Sequence, residues 1–345
     1  MRTLRAIPGG RLLTTTAAAF VLAWQSAGAQ SYTHGQNVSP AYEGWEEDAD
    51  GSKYFPFGYM NRNWTEELDV PVGPDNNIQP GGPDLGQPTH FQPRRNRFMF
   101  RVPVPKNFGE TDEMVWTLTT KGKSEKAYAS LRTDYKIDDV VIASETGALG
   151  AGTSSPEMRA NKRPVLRVEG EKKRSAKVGE PISITAIVTD DGVPKRRGGQ
   201  PSGPEGPGGR GRQGGAEGRG GQSADAPSAD PGNPVAAFAG QNRNPAYNPP
   251  SRITVGKANG LHAAWFVYRG SGKVAFEPPQ IKTWEETRAG GNSPWAPLWQ
   301  PPALPADNKW TAQVTFNEPG TYVLRARADD GALYADDEVT VTVTR

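Results

Sequence analysis

The chain has 345 residues, no cysteine and a formal charge of +2. The lack of cysteine excludes a disulfide scaffold, a thiolate metal site and a thiol nucleophile. Apart from the leader described next, no apolar run approaches a transmembrane helix. With the leader's three arginines removed the charge falls to −1, so nothing marks a nucleic-acid binder.

Residues 1–29 read as an export leader. Arg2, Arg5 and Arg11 give a basic start, Leu12 to Trp24 is uncharged, and Ala27-Gly28-Ala29 is a small-residue cleavage site. The uncharged run is too short to span a bilayer. The expectation is a periplasmic or secreted protein, not membrane-spanning, that begins at Gln30.

Residues 30–143 are expected to form an N-terminal β-sandwich domain. Asp48-Ala49-Asp50-Gly51 is a hairpin turn between Trp45 and Tyr54. A loop dense in Pro, Gly, Asp and Asn covers about 71–96. Asn96 to Val104 alternates, with Phe98, Phe100, Val102 and Val104 on one face. Met114 to Thr120 and Ser124 to Leu131 face each other across Lys121-Gly122-Lys123. No segment carries a sustained helical period. Residues 144–163, small and Gly-rich, read as a flexible linker.

Residues 164–345 spell seven strands. These are Val165–Val168, Ile182–Val188, a strand with Leu261, Ala263, Trp265 and Val267 inward, Lys273–Phe276, Trp310–Phe316, Tyr322–Ala328 and a last one through Val339, Val341 and Val343. His262 alternates outward in this reading. Tyr322 stands where a tyrosine corner belongs, two residues before a position that holds Leu324 here. Two insertions interrupt the domain. Residues 195–251 are rich in Gly, Pro and Arg and too polar to bury a core. Residues 278–306 are Pro-rich but carry Trp284, Trp295, Leu298 and Trp299.

Val178-Gly179-Glu180-Pro181, Thr189-Asp190-Asp191-Gly192, Trp265, Glu318-Pro319-Gly320-Thr321-Tyr322 and Asp329-Asp330-Gly331 give this second half its resemblance to the immunoglobulin-like, PKD-like modules of exported bacterial proteins. The resemblance implies a β-sandwich used as a spacer, adhesion unit or binding attachment, and it implies no chemistry. The N-terminal half, through Phe57-Gly58-Tyr59-Met60-Asn61-Arg62-Asn63-Trp64, resembles only uncharacterised exported proteins. The expected fold class is therefore all-β: two β-sandwich domains, the second immunoglobulin-like with two long insertions.

Three residue groups are candidates for a site. Asp75, Asp84, His90, Arg94 and Arg95 share the 73–97 loop and could line a polar site; Asp–Arg pairs bracing a surface loop are the plainer reading. Asp190, Asp191, Asp329 and Asp330 lie in loops at one end of the second sandwich and could share a calcium ion, which takes several hard oxygens. The plainer reading is turn chemistry, since Asp-Asp-Gly is a good turn. Trp284, Trp295 and Trp299 could dock a ligand or partner. Exposed aromatics could also stack on sugars, although core packing is their commoner use. Arg197-Gly198-Gly199 and Arg219-Gly220-Gly221 look like RNA-binding repeats, but export makes a solvated loop the better reading. There is no G-x-S-x-G and no H-E-x-x-H. The sequence points to an exported non-catalytic protein that recognises a protein or polysaccharide partner. Its alternatives are a polysaccharide hydrolase or lyase with a site in the first domain, and an accessory subunit of a larger exported complex.

Overall fold

The computed structural model describes residues 33–146, 155–195, 260–282 and 303–345. The architecture is all-β. In the first domain, β1 (Val38–Tyr42), β2 (Glu46–Glu47), β3 (Lys53–Asn61), β4 (Leu68–Asp69), β5 (Asn76–Gln79), β6 (His90–Phe91), β7 (Arg94–Pro103), β8 (Met114–Thr120) and β9 (Lys123–Ala129) follow one another along the chain. β3 pairs antiparallel with β1, β2 and β7; β5, β8 and β9 make the facing sheet; β4 and β6 form a short ribbon. Phe55, Phe57, Tyr59, Phe91, Phe100 and Trp116 fill the space between. The two expected hairpins are present. In the β8–β9 turn Lys121 and Gly122 both have positive φ, 51° and 73°, as a two-residue turn that follows strand twist requires.

β7 departs from strict alternation. Its register on β3 slips between Phe57↔Phe100 and Tyr59↔Asn96, and Phe98 takes φ 51°. Such a bulge turns one side chain off the strand's own face. Phe100 and Val102 enter the first core as expected, but Phe98 packs instead with Ile142, Ala143, Met158, Ala332 and Leu333 at the domain junction. Gly58 lies opposite the bulge. A Cβ there would stand 2.1 Å from Glu43 Oε1 and 2.4 Å from the Asn96 carbonyl.

Two short helices lie between the domains, α1 (Asp139–Thr146) and α2 (Pro156–Ala160). Neither is long enough to show a period in sequence. Each is opened by a side chain on the backbone: Asp138 Oδ1 accepts from Val141 N at 2.9 Å, and Ser155 Oγ from Met158 N at 3.2 Å. Residues 147–154 of the expected linker lie outside the described residues. Just beyond α2, Asn161 and Arg163 both make side-chain bonds to neighbouring elements.

The second domain contains β10 (Val165–Val168), β11 (Lys173–Lys177), β12 (Ile182–Thr189), β13 (His262–Arg269), β14 (Val274–Glu277), β15 (Lys309–Phe316), β16 (Gly320–Asp329) and β17 (Tyr334–Thr344). One sheet runs β10-β12-β15-β14 and the other β11-β17-β16-β13, the strand order of an immunoglobulin-like sandwich. Among the described residues eight strands are present where the sequence suggests seven. The extra one, β11, pairs parallel with β17 and carries a single buried residue, Ala176, so no alternation betrays it. The tyrosine corner is formed, with Tyr322 Oη donating to the Glu318 carbonyl at 2.9 Å. Trp265 is buried and its Nε1 donates to the Trp310 carbonyl at 3.2 Å.

The β11-β17-β16-β13 sheet is covered on both faces. Ala263, Trp265 and Val267 of β13 face the second core, while Ala264, Phe266 and Tyr268 pack into the core of the first domain. His262, expected outward, is buried with its ring edge-on to Trp310 at 4.9 Å. Residues 196–259 and 283–302, most of both insertions, lie outside the described residues.

Candidate functional site

The junction between the sandwiches holds the most unusual chemistry of the chain. β7 is a terminal strand, so its carbonyls on the side away from β3 lack a strand partner. Three cations of the second domain take them. Lys282 Nζ donates to the Pro93 and Arg95 carbonyls at 2.6 and 3.1 Å. Arg327 donates to the carbonyls of Arg97 at 3.1 Å and Phe98 at 2.7 Å, and Arg325 to that of Met99. Arg327 is also held in a two-pronged bond by Asp336, both distances 2.7 Å, and Arg325 is held by Glu338. The guanidinium of Arg325 lies 3.4 Å from the ring centre of Tyr268, and that of Arg327 4.5 Å from Tyr334. These charges are buried yet paired and hydrogen-bonded, the condition on which burial is tolerable.

A cleft of about 250 Å³ opens beside this clamp, where the free edges of β13 and β14 diverge and β6 approaches. Glu67, His90, Gln92, Trp265, Phe276 and Lys282 are among its walls. His90 is 6% exposed and lies between two carboxylates. Its Nδ1 is 2.7 Å from Asp69 Oδ1 and its Nε2 3.3 Å from Glu67 Oε2. Burial alone would pull the imidazole pKa down, but the hydrogen bonds to Asp69 and Glu67 outweigh it and hold the pKa up at about 9. The ring is an imidazolium at neutral pH. It neither accepts a proton nor ligates a metal, and its two carboxylates, on opposite nitrogens, do not converge on one ion. Asp69 Oδ2 in turn accepts from Gly272 N at 3.3 Å, which ties the ribbon to the second domain.

The other loop candidates are not brought together with His90. Asp75 is exposed, and its backbone carbonyl accepts from Thr119 N. Asp84 grips Arg269 with both oxygens, at 2.7 and 2.9 Å, and that hydrogen-bonded pair holds its carboxyl below the usual range. Arg94 covers the ring of Trp64 at 3.9 Å, and Arg95 pairs with Glu43 at 2.7 Å. Glu43 is buried, which pushes its carboxyl up against the pull of Arg95 and Arg97. Asp84 thus takes its arginine from the other domain, and Arg95 takes its carboxylate from Glu43.

The Asp-Asp-Gly loops spend their carboxylates locally. Asp190 accepts from Gly192 N, Asp191 from Val193 N and Lys162 N, Asp329 from Gly331 N, and Asp330 from Ala332 N, Leu333 N and Asn161 Nδ2. No three acidic or histidine side chains among the described residues are placed to hold a metal ion. Burial first, then the neighbouring Asp329, raises the Asp330 pKa to about 7.

Trp284, Trp295 and Trp299 lie outside the described residues. In the first domain Trp45, Phe55, Phe57 and Tyr59 are buried, whereas Tyr128 is 52% exposed. Tyr54 and Trp64 are half-buried, and Arg101 and Arg94 cover their faces at 4.0 and 3.9 Å. Faces stacked in this way are not open to a sugar ring.

Sequence reasoning weighed Glu67 only as one of a pair of carboxylates with Glu66, and passed over Asp69, Gln92, Lys282, Arg325 and Arg327. A signal was available for the last two: paired arginines at alternate positions in the middle of a strand that is otherwise core.

No family model matches the chain, and no curated protein does. Solved structures that match include the D00-D0 domain of intimin, at 10% identity over 89% of this chain and 100% of that one, TM-score 0.21. Others are the S-layer protein rSbsC(31-844), at 8% over 90% and 28%, TM-score 0.20, and the Yersinia pseudotuberculosis adhesin InvE, at 9% over 91% and 61%, TM-score 0.21. At these scores the likeness carries no argument, and the fold rests on the strand order given above. Among the described residues no helix is long and apolar enough to cross a membrane.

Proposed function

We propose that this is an exported, non-catalytic binding unit in which two β-sandwiches act as one stiff body and recognise a protein or polysaccharide partner. The observation that supports it best is the clamp on β7. Three cations of one domain hold the backbone of the other, and both cores share the β13 sheet, so the junction cleft is pre-shaped. Preorganisation of this kind favours binding because little is lost in ordering the site. The charged groups of the junction are bound to each other or to backbone, and His90 is held protonated. That arrangement suits a scaffold better than proton transfer.

Affinity electrophoresis of residues 30–345 through gels cast with different polysaccharides, with calcium and with chelator, tests the reading. Retardation by one polymer identifies a polysaccharide partner. Equal mobility in every gel directs the search to a protein. Release of reducing ends or of unsaturated sugars from any of the polymers would overturn the non-catalytic reading.

A further inference from the structure

The junction cleft has a chemical bias. Trp265, Val267, Val274 and Phe276 give it apolar walls. Both cations at its rim are engaged with other groups, Lys282 with the carbonyls of Pro93 and Arg95, and His90 with Asp69 and Glu67. Two acceptors remain open on the lining. Gln92 Oε1 is buried and meets no donor, and the Glu67 carboxylate, 54% exposed, meets His90 through Oε2. A buried acceptor without a partner is destabilising. A ligand that brings a donor to Gln92 relieves it.

We infer that the cleft receives a primary ammonium on an unbranched apolar stem, as presented by a lysine side chain of a partner protein. The stem lies along Val267, Val274 and Phe276, and the ammonium donates to Gln92 Oε1 and Glu67. An ammonium has three donors and no acceptor, which suits the two open oxygens of Gln92 and Glu67. Glu67 makes one of the bonds charge-assisted, and aromatic walls tolerate a cation at close range. A carboxylate or phosphate would set acceptor against Gln92 Oε1 and Glu67, and an alcohol brings a single donor without charge. The inference rests on the binding reading above and names what the partner contributes.

The test is methyl-detected NMR of residues 30–345 titrated with Nα-acetyl-lysine methylamide, its Nε-acetylated counterpart and 1,5-diaminopentane. The expected result is saturable shifts at the Val267 and Val274 methyls with the lysine amide, and affinity at least tenfold weaker once the amine is acetylated. Glu67→Gln and Gln92→Leu should each weaken binding about tenfold, equivalent to about 1.4 kcal/mol. Gln92→Leu leaves the ion pairs of His90 in place, so it remains informative if Glu67→Gln loosens the junction. Equal binding of the acetylated probe, or no saturable shift with the lysine amide, overturns the inference. Tighter binding of the diamine than of the lysine amide overturns the assignment to a protein side chain. Failure here together with selective retardation in a polysaccharide gel would remove this ligand and leave the binding reading standing.

Discussion

Arg327 Nη2 donates to the carbonyl oxygen of Phe98 at 2.7 Å, across the junction between the two sandwiches. Phe98 has its positive φ at the bulge of β7, and its carbonyl lies on the open edge of that strand, where a fully buried guanidinium supplies the donor.

Replacing Arg327 by Met should therefore be severe. It leaves Asp336 as a half-buried charge without its two-pronged partner and strips the Arg97 and Phe98 carbonyls of their donors. Breaking a buried pair from one side costs about 3–5 kcal/mol. Urea unfolding of R327M should show a loss of that order. The double variant R327M with Asp336→Leu should recover part of it, because the orphaned charge is gone. A single variant as stable as the parent would contradict the clamp.

Gly58→Ala should destabilise more than Gly51→Ala. At Gly58 the new Cβ meets a backbone carbonyl at 2.4 Å and a carboxylate held by Arg95, neither of which yields cheaply. Overpacking of this kind costs about 1–3 kcal/mol. At Gly51 the φ of 82° strains a side chain, but nothing lies within 4 Å. Melting temperatures of the two variants, compared side by side, check the order.

Two groups should shape the pH dependence of stability. His90 binds its proton more tightly when folded, with a pKa of about 9 against an ordinary 6.5. Its contribution is complete below pH 6.5 and is lost as pH rises through 9. Asp330 also holds its proton more tightly when folded, at about 7 against 3.8, so its contribution is present below pH 3.8 and lost as pH rises through 7. Relative to the parent, His90→Gln should flatten the fall in stability between pH 6.5 and 9, and Asp330→Asn the fall between pH 4 and 7. Denaturation at a series of pH values reads both; unchanged slopes would show that neither group titrates as placed.

Calcium should leave the melting temperature where it is. Oδ1 of Asp329 and of Asp330 already accepts from amides of its own loop, and Asp330 Oδ2 from Asn161, and an ion would have to displace those bonds. A rise in melting temperature with millimolar calcium, reversed by chelator, would show that the loops rearrange to bind it.

Much of the second sandwich is legible in sequence because β12, β15 and the last part of β17 alternate between core and solvent, because apolar residues recur at every second position of β16 from Tyr322 to Ala328, and because Tyr322 marks the corner. β11 is not legible, since Lys173-Arg174-Ser175-Ala176-Lys177 pairs through its backbone and buries only Ala176. The double burial of β13 is written in the unbroken apolar run Ala263-Ala264-Trp265-Phe266-Val267-Tyr268, a pattern of strands covered on both faces. Reading only its odd positions hides the face that meets the first domain. The candidate loop fails for a different reason. Asp84, His90, Arg94 and Arg95 are neighbours along the chain, but they meet Arg269, Asp69, Trp64 and Glu43 in turn. The residues that do meet at the cleft come from positions as distant as Glu67 and Lys282, a proximity that only the docking of the two sandwiches creates.

The cations on β7 have a consequence for how the chain must be made. A bare strand edge is a template for aggregation, and here the groups that cover it are encoded near the opposite end of the polypeptide. The first sandwich leaves the ribosome before its shield exists. Truncations that stop after β9 should yield a sticky, self-associating product, and the second sandwich then serves the first as a built-in chaperone.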